Sequence, residues 1–103
     1  MNSKINNPIF SKDAILKDVI TILKDLTYDW DLEFSDPIGP DTKFVADLGF
    51  ESIDIVQFIV AIEEHFQRRG LPFENLIMVD GRYVDEIKLG DTVAFLFSHL
   101  NDQ

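Results

Sequence analysis

Apolar residues recur at helical spacing in three separate stretches of the chain. In the first stretch they stand three or four positions apart, at Ile15, Val19, Ile22 and Leu26. This spacing places them on one face of an amphipathic helix, which we expect to begin after an N-cap at Ser11 and to run to about Thr27. Residues 1–10 have no such pattern, so they are predicted to form a loose N-terminal arm.

A second stretch of helical spacing predicts a helix over residues 52–66. Its apolar stripe has four members, Ile55, Ile59, Ile62 and Phe66. Two arginines and Gly70 follow, and cations with a glycine are typical of a helix C-terminus. The third stretch predicts a last helix over residues 92–100, with Asp91 as its N-cap.

The segments between these helices contain Pro and Gly and are predicted to be long loops. Residues 28–41 lack the alternation of a strand, and we expect four buried anchors there, Trp30, Leu32, Phe34 and Ile38. Residues 67–91 form an extended connection before the last helix. Within it, residues 84–89 are expected to form a short helix, whereas residues 76–79 are compatible with a strand, a helical turn or a packed loop.

The pattern as a whole predicts an all-α fold. We expect a small antiparallel bundle of three main helices, with one or two short helices and long loops, forming a single domain over residues 1–103. The composition agrees with this prediction. Of the 103 residues 46% are hydrophobic and nine are Phe, which is enough apolar material for the core of one domain.

The chain is strongly acidic, because 9 Lys and Arg stand against 19 Asp and Glu and the net charge is −10. Such a domain repels the phosphates of nucleic acids and anionic lipids, so we expect no nucleic-acid binding and favour partners with basic faces. The absence of Cys excludes disulfides and a thiolate of its own. No apolar run reaches the length of a membrane span, and residues 1–10 lack the apolar core of a secretory signal, so a soluble cytoplasmic domain is expected. We also expect the protein to be a monomer.

No pattern typical of a catalyst or a metal site is found in the sequence. Acidic residues alternate at positions 29, 31 and 33 like the first ligands of a calcium loop, but Phe34 and Pro40 stand where that loop needs Gly and Glu. His65 and His99 have no serine elbow or metal-ligand spacing around them. The five glycines are isolated, which argues against a phosphate-binding loop. We therefore expect neither a metal site nor catalytic residues.

One segment combines a one-sided charge with a serine at the start of a helix. No Lys or Arg occurs between Lys43 and Arg68, and five acidic residues lie in this interval, Asp47, Glu51, Asp54, Glu63 and Glu64. Ser52 opens the second helix shortly after Gly49. Because Ser is a preferred N-cap, capping alone explains its position. A reciprocal capping box would then need Glu or Gln at position 55, where Ile stands.

The residues around Ser52 resemble the phosphopantetheine attachment site of the acyl carrier protein family. That family carries D-S-L after L-G-x, and the corresponding residues here are Leu48, Gly49, Phe50, Glu51, Ser52 and Ile53, with Asp47 in the similar loop just upstream. The run Ala61–Glu64 and residues 88–100 are similar to parts of the family's second and last helices. Ile53 stands where the family has Leu, and this sequence departs from the family's pattern in three other places. Glu51 replaces the usual Asp, Gln57 replaces a usual acid, and the connection over residues 67–91 is longer.

The resemblance implies a carrier with one covalent cofactor, phosphopantetheine on Ser52. A Mg²⁺-dependent phosphopantetheinyl transferase would attach the arm from coenzyme A, and the thiol of the arm would hold an acyl group as a thioester. The other implied partners are acyl-loading, condensing or acyl-transfer enzymes with basic docking faces, in a dedicated fatty-acid-like or polyketide-like pathway. The chain would be a substrate of these enzymes and not itself a catalyst.

Charge and helical spacing indicate candidate docking residues on the second helix, Asp54, Val56, Gln57, Val60, Glu63 and Glu64. The carboxylates would steer a basic face toward the helix, and the two valines would add a small apolar contact. Because spacing does not say which face is inward, the valines are equally compatible with the core. In an alternative interpretation the chain is an unmodified acidic interaction module, in which Ser52 is only an N-cap.

Overall fold

Three long helices and one short helix make up most of the residues that the computed structural model describes, 10–32 and 36–101. In chain order the elements are α1 Lys12–Leu26, α2 Ser52–Phe66, α3 Glu74–Ile77, β1 Met78–Val79, β2 Arg82–Tyr83 and α4 Leu89–Leu100. Helix α1 packs against both α2 and α4. The all-α prediction is confirmed, with one short antiparallel ribbon of β1 and β2 added to it. Apart from Phe10, the predicted N-terminal arm lies outside the described residues.

The start and end of α1 follow the sequence prediction. Ser11 Oγ accepts a hydrogen bond from the Ala14 N–H at 3.1 Å, and Asp13 places a negative charge at the positive end of the helix dipole. Thr27 ends the helix, and its hydroxyl donates to Leu23 O at 2.8 Å. The buried face of the helix consists of Ile15, Val19, Ile22 and Leu23.

A cluster of aromatic rings fills the core beside the start of α2. The Phe44 ring is fully buried, and its centroid lies 5.3 Å from that of Phe50 and 5.0 Å from that of Phe58. Trp30 packs against Phe50 with a centroid separation of 5.3 Å. Aromatic pairs in such tilted and edge-to-face arrangements contribute about 0.5–1.5 kcal/mol beyond the burial of their area. This cluster therefore fixes the loop that leads into α2.

The long loop between α1 and α2 is anchored largely as predicted. Three of its four expected anchors pack against the core, Trp30, Leu32 and Ile38. The fourth, Phe34, lies outside the described residues. Phe10 contacts Phe66 at one end of the bundle and Trp30 contacts Phe50 at the other, so α1 and α2 run antiparallel.

The end of α2 differs from the prediction in its stop residue. Gln67, with φ +55°, is the C-cap in the left-handed region, whereas the sequence placed the stop at Gly70. Arg68 serves a different helix from the one expected. Its guanidinium donates to Leu100 O at 3.0 Å and to His99 O at 3.2 Å, at the negative end of α4. A cation that the sequence placed at the end of α2 therefore ties α2 to α4.

Helix α4 begins earlier than the sequence predicted. Its N-cap is Lys88 and its first residue is Leu89, so the prediction that Asp91 caps a helix beginning at residue 92 is wrong. Leu89 is fully buried, and its N–H donates to Thr42 O at 2.9 Å. Asp91 lies instead within the first turn, where its charge still favours the helix dipole.

The predicted short helix over residues 84–89 is also wrong. These residues are irregular up to the start of α4, because partners elsewhere in the chain take their backbone groups. The Val84 N–H donates to Ile77 O at 2.9 Å, and Ile87 O accepts from the Phe44 N–H at 3.0 Å. Hydrogen bonds to the end of α3 and to the loop before α2 therefore replace the bonds of a helical turn.

The segment 76–79, which the sequence left open, combines the end of α3 with strand β1. Met78 faces Tyr83 and Val79 faces Arg82 across the ribbon. Asp80 and Gly81 connect the strands with φ of +53° and +77°. Two successive positive φ values are the signature of the tight turn that matches the twist of a two-stranded hairpin, and Asp-Gly is a favoured pair there.

Candidate functional site

Ser52 is the first residue of α2, and its side chain is exposed. The N-cap is Glu51, so the prediction that Ser52 caps the helix is wrong by one residue. With Glu51 as the cap, the residue three positions on is Asp54, and its Oδ2 accepts from the Glu51 N–H at 2.8 Å. This capping box was not predicted, because Ser52 was taken as the N-cap and its partner was therefore expected at position 55. The Ser52 hydroxyl therefore has no capping role.

The loop before Ser52 is held by its own backbone turns. Asp47 Oδ2 accepts from the Lys43 N–H at 2.8 Å, and the Phe50 N–H donates to Phe44 O at 3.0 Å. Leu48 is buried, which anchors the middle of the turn in the core. Gly49 has φ +71°, a conformation that side chains with a Cβ rarely adopt. The flanking residues named from the sequence thus have structural roles: Asp47, Leu48 and Gly49 shape the turn that presents Ser52.

Glu86 ties the connection before α4 to this same loop. Its carboxylate accepts hydrogen bonds from the Val45 N–H at 2.7 Å and the Ala46 N–H at 2.8 Å, and also from the N–H of its neighbour Ile87 at 3.1 Å. Hydrogen bonds to a carboxylate are stronger than those between neutral groups. This contact was not predicted from the sequence, because Glu86 and Val45 are 41 positions apart and no local pattern joins them.

A groove of about 570 Å³ opens beside Ser52. One wall is formed by Ser52 and the α2 residues that follow it, Ile55, Val56 and Ile59. The other wall is formed by Ile77 and residues 83–87, and Val45 and Phe50 close one side. This volume is in the range of small-molecule sites. The groove was not predicted from the sequence. In the sequence, the wall formed by Ile77 and residues 83–87 was indicated only by the apolar residues of the connection over residues 67–91.

The exposed face of α2 carries the candidate docking residues. Ile53, Val56 and Val60 are 58%, 54% and 47% exposed, so the two valines belong to the surface and not to the core. Gln57 and Glu64 are also exposed.

Asp54 and Glu63 are partly buried, and each already accepts a hydrogen bond from a backbone N–H within the chain. Asp54 closes the start of α2, and Glu63 Oε2 accepts from the Gly70 N–H at 3.1 Å. The predicted docking residues thus lie along one helix, from Asp54 near Ser52 to Glu64 at roughly 18 Å from Ser52 along the helix axis, and two of the carboxylates also serve the fold.

The histidines lie away from Ser52. His65 is 13 residues further along α2, which corresponds to roughly 20 Å at the helical rise. Its Nε2 lies 3.4 Å from Asp18 Oδ2 on α1. His99 stacks on Phe95 with ring centroids 4.5 Å apart. In the part of the chain that the structure describes, no group of three or more acidic or histidine side chains is placed to hold a metal ion, and no helix is long and apolar enough to cross a membrane.

Comparison with known proteins decides the family. A family model described as the phosphopantetheine attachment site matches residues 17–77, which is more than half of the chain and includes Ser52. The chain belongs to the acyl carrier protein family. The mitochondrial acyl carrier protein of Saccharomyces cerevisiae is 32% identical over 90 residues, which cover 86% of this chain and 65% of the yeast protein.

Bacterial acyl carrier proteins are similar over shorter stretches. That of Helicobacter pylori is 32% identical over 59 residues, covering 57% of this chain and 65% of the bacterial protein. That of a Sulfurovum species is 48% identical over 31 residues, covering 30% of this chain and 41% of the relative. The chain thus spans just under two thirds of the yeast and Helicobacter proteins that it matches. No solved structure matches the chain significantly.

Membership of this family indicates a covalently attached phosphopantetheine, and the start of α2 fits such a group. The Ser52 side chain is exposed. It stands at the end of a 15-residue helix, where the first backbone N–H groups and the helix dipole favour a negatively charged phosphodiester. The groove beside it offers a partly apolar surface to an attached arm.

Proposed function

We propose that this protein is an acyl carrier whose phosphopantetheine arm is attached to Ser52. The observation that carries the proposal is the position of that hydroxyl. It is exposed, free of the capping role, and located at the start of α2 beside the groove. The rigid turn through Leu48 and Gly49 supports it from below.

The attachment step is a phosphoryl transfer to Ser52. In the active site of a transferase, Ser52 Oγ attacks the phosphorus next to the pantetheine of coenzyme A. The Oγ–P bond forms, the bond from that phosphorus to the bridging oxygen of the pyrophosphate breaks, and adenosine bisphosphate leaves with the bond's electron pair. The hydroxyl proton goes to a base of the transferase or to water. When bound, the arm supplies a terminal thiol that holds an acyl group as a thioester.

The chain's own residues position Ser52 and leave the chemistry to the partner. Glu51 and Asp54 are the nearest carboxylates along the chain, and Asp54 is occupied by the helix cap. His65 lies roughly 20 Å along α2 and pairs with Asp18 on α1. The protein is therefore proposed to be a substrate of its partner enzymes and not an enzyme.

The proposed partners are a phosphopantetheinyl transferase and acyl-loading, condensing or acyl-transfer enzymes with basic docking faces. The exposed valines of α2, Val56 and Val60, support a small apolar contact, and the neighbouring Glu64 supports electrostatic steering. The longer connection before α4 and the substitutions Glu51 and Gln57 favour a dedicated fatty-acid-like or polyketide-like pathway. A cytoplasmic location and a monomeric state belong to the same proposal.

The structure does not support the N-cap role of Ser52 on which the alternative, an unmodified acidic interaction module, was based. That alternative explained Ser52 as an N-cap, and Glu51 occupies that position. Helix propensity does not explain the serine either, because Ala is a better helix former than Ser.

Incubation with coenzyme A, Mg²⁺ and a broad-specificity phosphopantetheinyl transferase, followed by intact-mass measurement, tests the proposal. We expect the wild type to gain one phosphopantetheinyl group and Ser52→Ala to gain none. Ser98→Ala is the matched control, because Ser98 is an exposed serine on α4, and it should be modified like the wild type. Equal modification of Ser52→Ala and wild type would overturn the assignment.

A further inference from the structure

The hairpin between α3 and α4 places an exposed aromatic side chain at the groove beside Ser52. Tyr83 is 75% exposed, and it lines the same groove as Ser52 and the 54% exposed Val56. The ring of a tyrosine has a large apolar area and a polar tip, and tyrosines are enriched among the residues that carry most of the binding energy at protein interfaces. This tyrosine therefore has the properties of a docking residue, and the fold leaves it facing solvent.

The hairpin holds Tyr83 in a defined position. The turn through Asp80 and Gly81 has the two positive φ values of a tight hairpin, and Tyr83 pairs with Met78 across the ribbon. Three residues after Tyr83, the Glu86 carboxylate is hydrogen-bonded to the loop that presents Ser52. Because both ends of this segment are fixed, binding of a partner to Tyr83 costs little free energy for ordering the segment.

The charges at the groove define the kind of partner. Three carboxylates line it, those of Glu51, Asp85 and Glu86, and no Lys or Arg is among its described lining residues. A complementary face is therefore basic around an apolar spot that covers Tyr83 and Val56.

The reaction itself brings such a partner to this place. A transferase that forms a bond to Ser52 Oγ has to bring its active site to the groove of which Ser52 is part. The transferase then contacts the exposed side chains around that groove, which include Tyr83 and Val56.

We propose that Tyr83 is a docking residue for the phosphopantetheinyl transferase that modifies Ser52, so that the enzyme recognises the hairpin as well as α2. This inference rests on the proposed carrier function. It assigns a role to the connection before α4.

Initial rates of modification, measured over a range of carrier concentrations with coenzyme A, Mg²⁺ and a broad-specificity transferase, test it. We expect Tyr83→Ala to raise the KM for the carrier about fivefold to tenfold with kcat unchanged, as for an interface residue of this class. Tyr83→Phe keeps the ring and should retain most of the wild-type kcat/KM. Tyr28→Ala is the matched control, because Tyr28 is 88% exposed and does not line the groove.

Three results would overturn the inference while leaving the carrier function intact. They are a wild-type kcat/KM for Tyr83→Ala, an equal loss in Tyr28→Ala, and a fall in kcat with an unchanged KM. A wild-type chain that stays unmodified beside a working control carrier would overturn the carrier function and this inference with it. Thermal unfolding of each variant verifies that the fold is kept, which we expect because both tyrosines are exposed.

Discussion

Asp54 Oδ2 accepts a hydrogen bond from the Glu51 N–H at 2.8 Å, and this contact closes the start of α2 on either side of Ser52. Glu51 and Asp54 thus hold the end of the helix, and the Ser52 hydroxyl, which a carrier needs for the attachment, takes no part in the cap. Capping and modification can be tested independently, because they depend on neighbouring but different side chains.

Ser52→Ala should leave the free energy of unfolding within about 0.5 kcal/mol of the wild type, since the side chain is exposed and does not cap. Asp54→Ala should cost about 1 kcal/mol, because it removes the acceptor for the Glu51 N–H. Chemical denaturation of the two variants checks both values. A larger loss for Ser52→Ala than for Asp54→Ala would contradict the capping assignment.

Glu86→Ala should loosen the loop that leads into Ser52. We expect a loss of about 1.5–3 kcal/mol in stability, because backbone N–H groups that bond to a charged group lose their partner. Hydrogen exchange should become faster at the amides of Val45 and Ala46. Asp85→Ala is the control, because Asp85 is an exposed neighbouring carboxylate. Unchanged exchange at both amides in Glu86→Ala would show that the carboxylate does not hold this loop.

Phe58 and Val56 are two residues apart on α2 and should respond very differently to truncation. Phe58 is 2% exposed and packs on Phe44, so Phe58→Ala should cost about 3–5 kcal/mol. Val56 is 54% exposed, so Val56→Ala should cost no more than about 0.5 kcal/mol. Thermal or denaturant unfolding distinguishes them. Similar losses in both variants would mean that Val56 belongs to the core and is not available for docking.

Partner association should weaken as salt rises, because the carboxylates of α2 are partly or fully exposed and the Debye length falls from about 10 Å at 0.1 M to about 3 Å at 1 M. Glu64→Lys should reduce kcat/KM for the transferase at low salt more than at high salt. Asp29→Lys makes the same charge change at an exposed position outside α2 and serves as the control. Equal effects of the two variants, or a rate that does not depend on salt, would mean that steering by α2 is not important.

Helical periodicity located α2 from Ser52 to Phe66 and the N-cap of α1 at Ser11, because each rests on a long apolar stripe and a local capping residue. The N-cap of α2 was assigned to Ser52, one residue too late, because Ser is a preferred N-cap residue and only the backbone shows that Glu51 occupies that position. Residues 84–89 do not form a helix because the Val84 N–H donates to Ile77 O and Ile87 O accepts from the Phe44 N–H, and no local sequence pattern indicates either bond.

The candidate site was predictable only where its residues are contiguous in the sequence. Ser52 and its flanks form a contiguous motif, so the sequence could name them. The Glu86 contact joins residues 40 and 41 positions apart, and the walls of the groove also come from separate segments, so only the folded chain brings them together. The exposure of Val56 and Val60, which spacing alone left open, follows from how α2 packs on α1.

The mass of the protein as the cell makes it shows whether Ser52 carries a phosphopantetheine arm. Intact-mass measurement of the chain from its native cell, followed by peptide mapping, should find one phosphopantetheinyl group on the peptide that contains Ser52. A chain that is unmodified in the cell, or modified at another residue, would contradict the proposed attachment at Ser52.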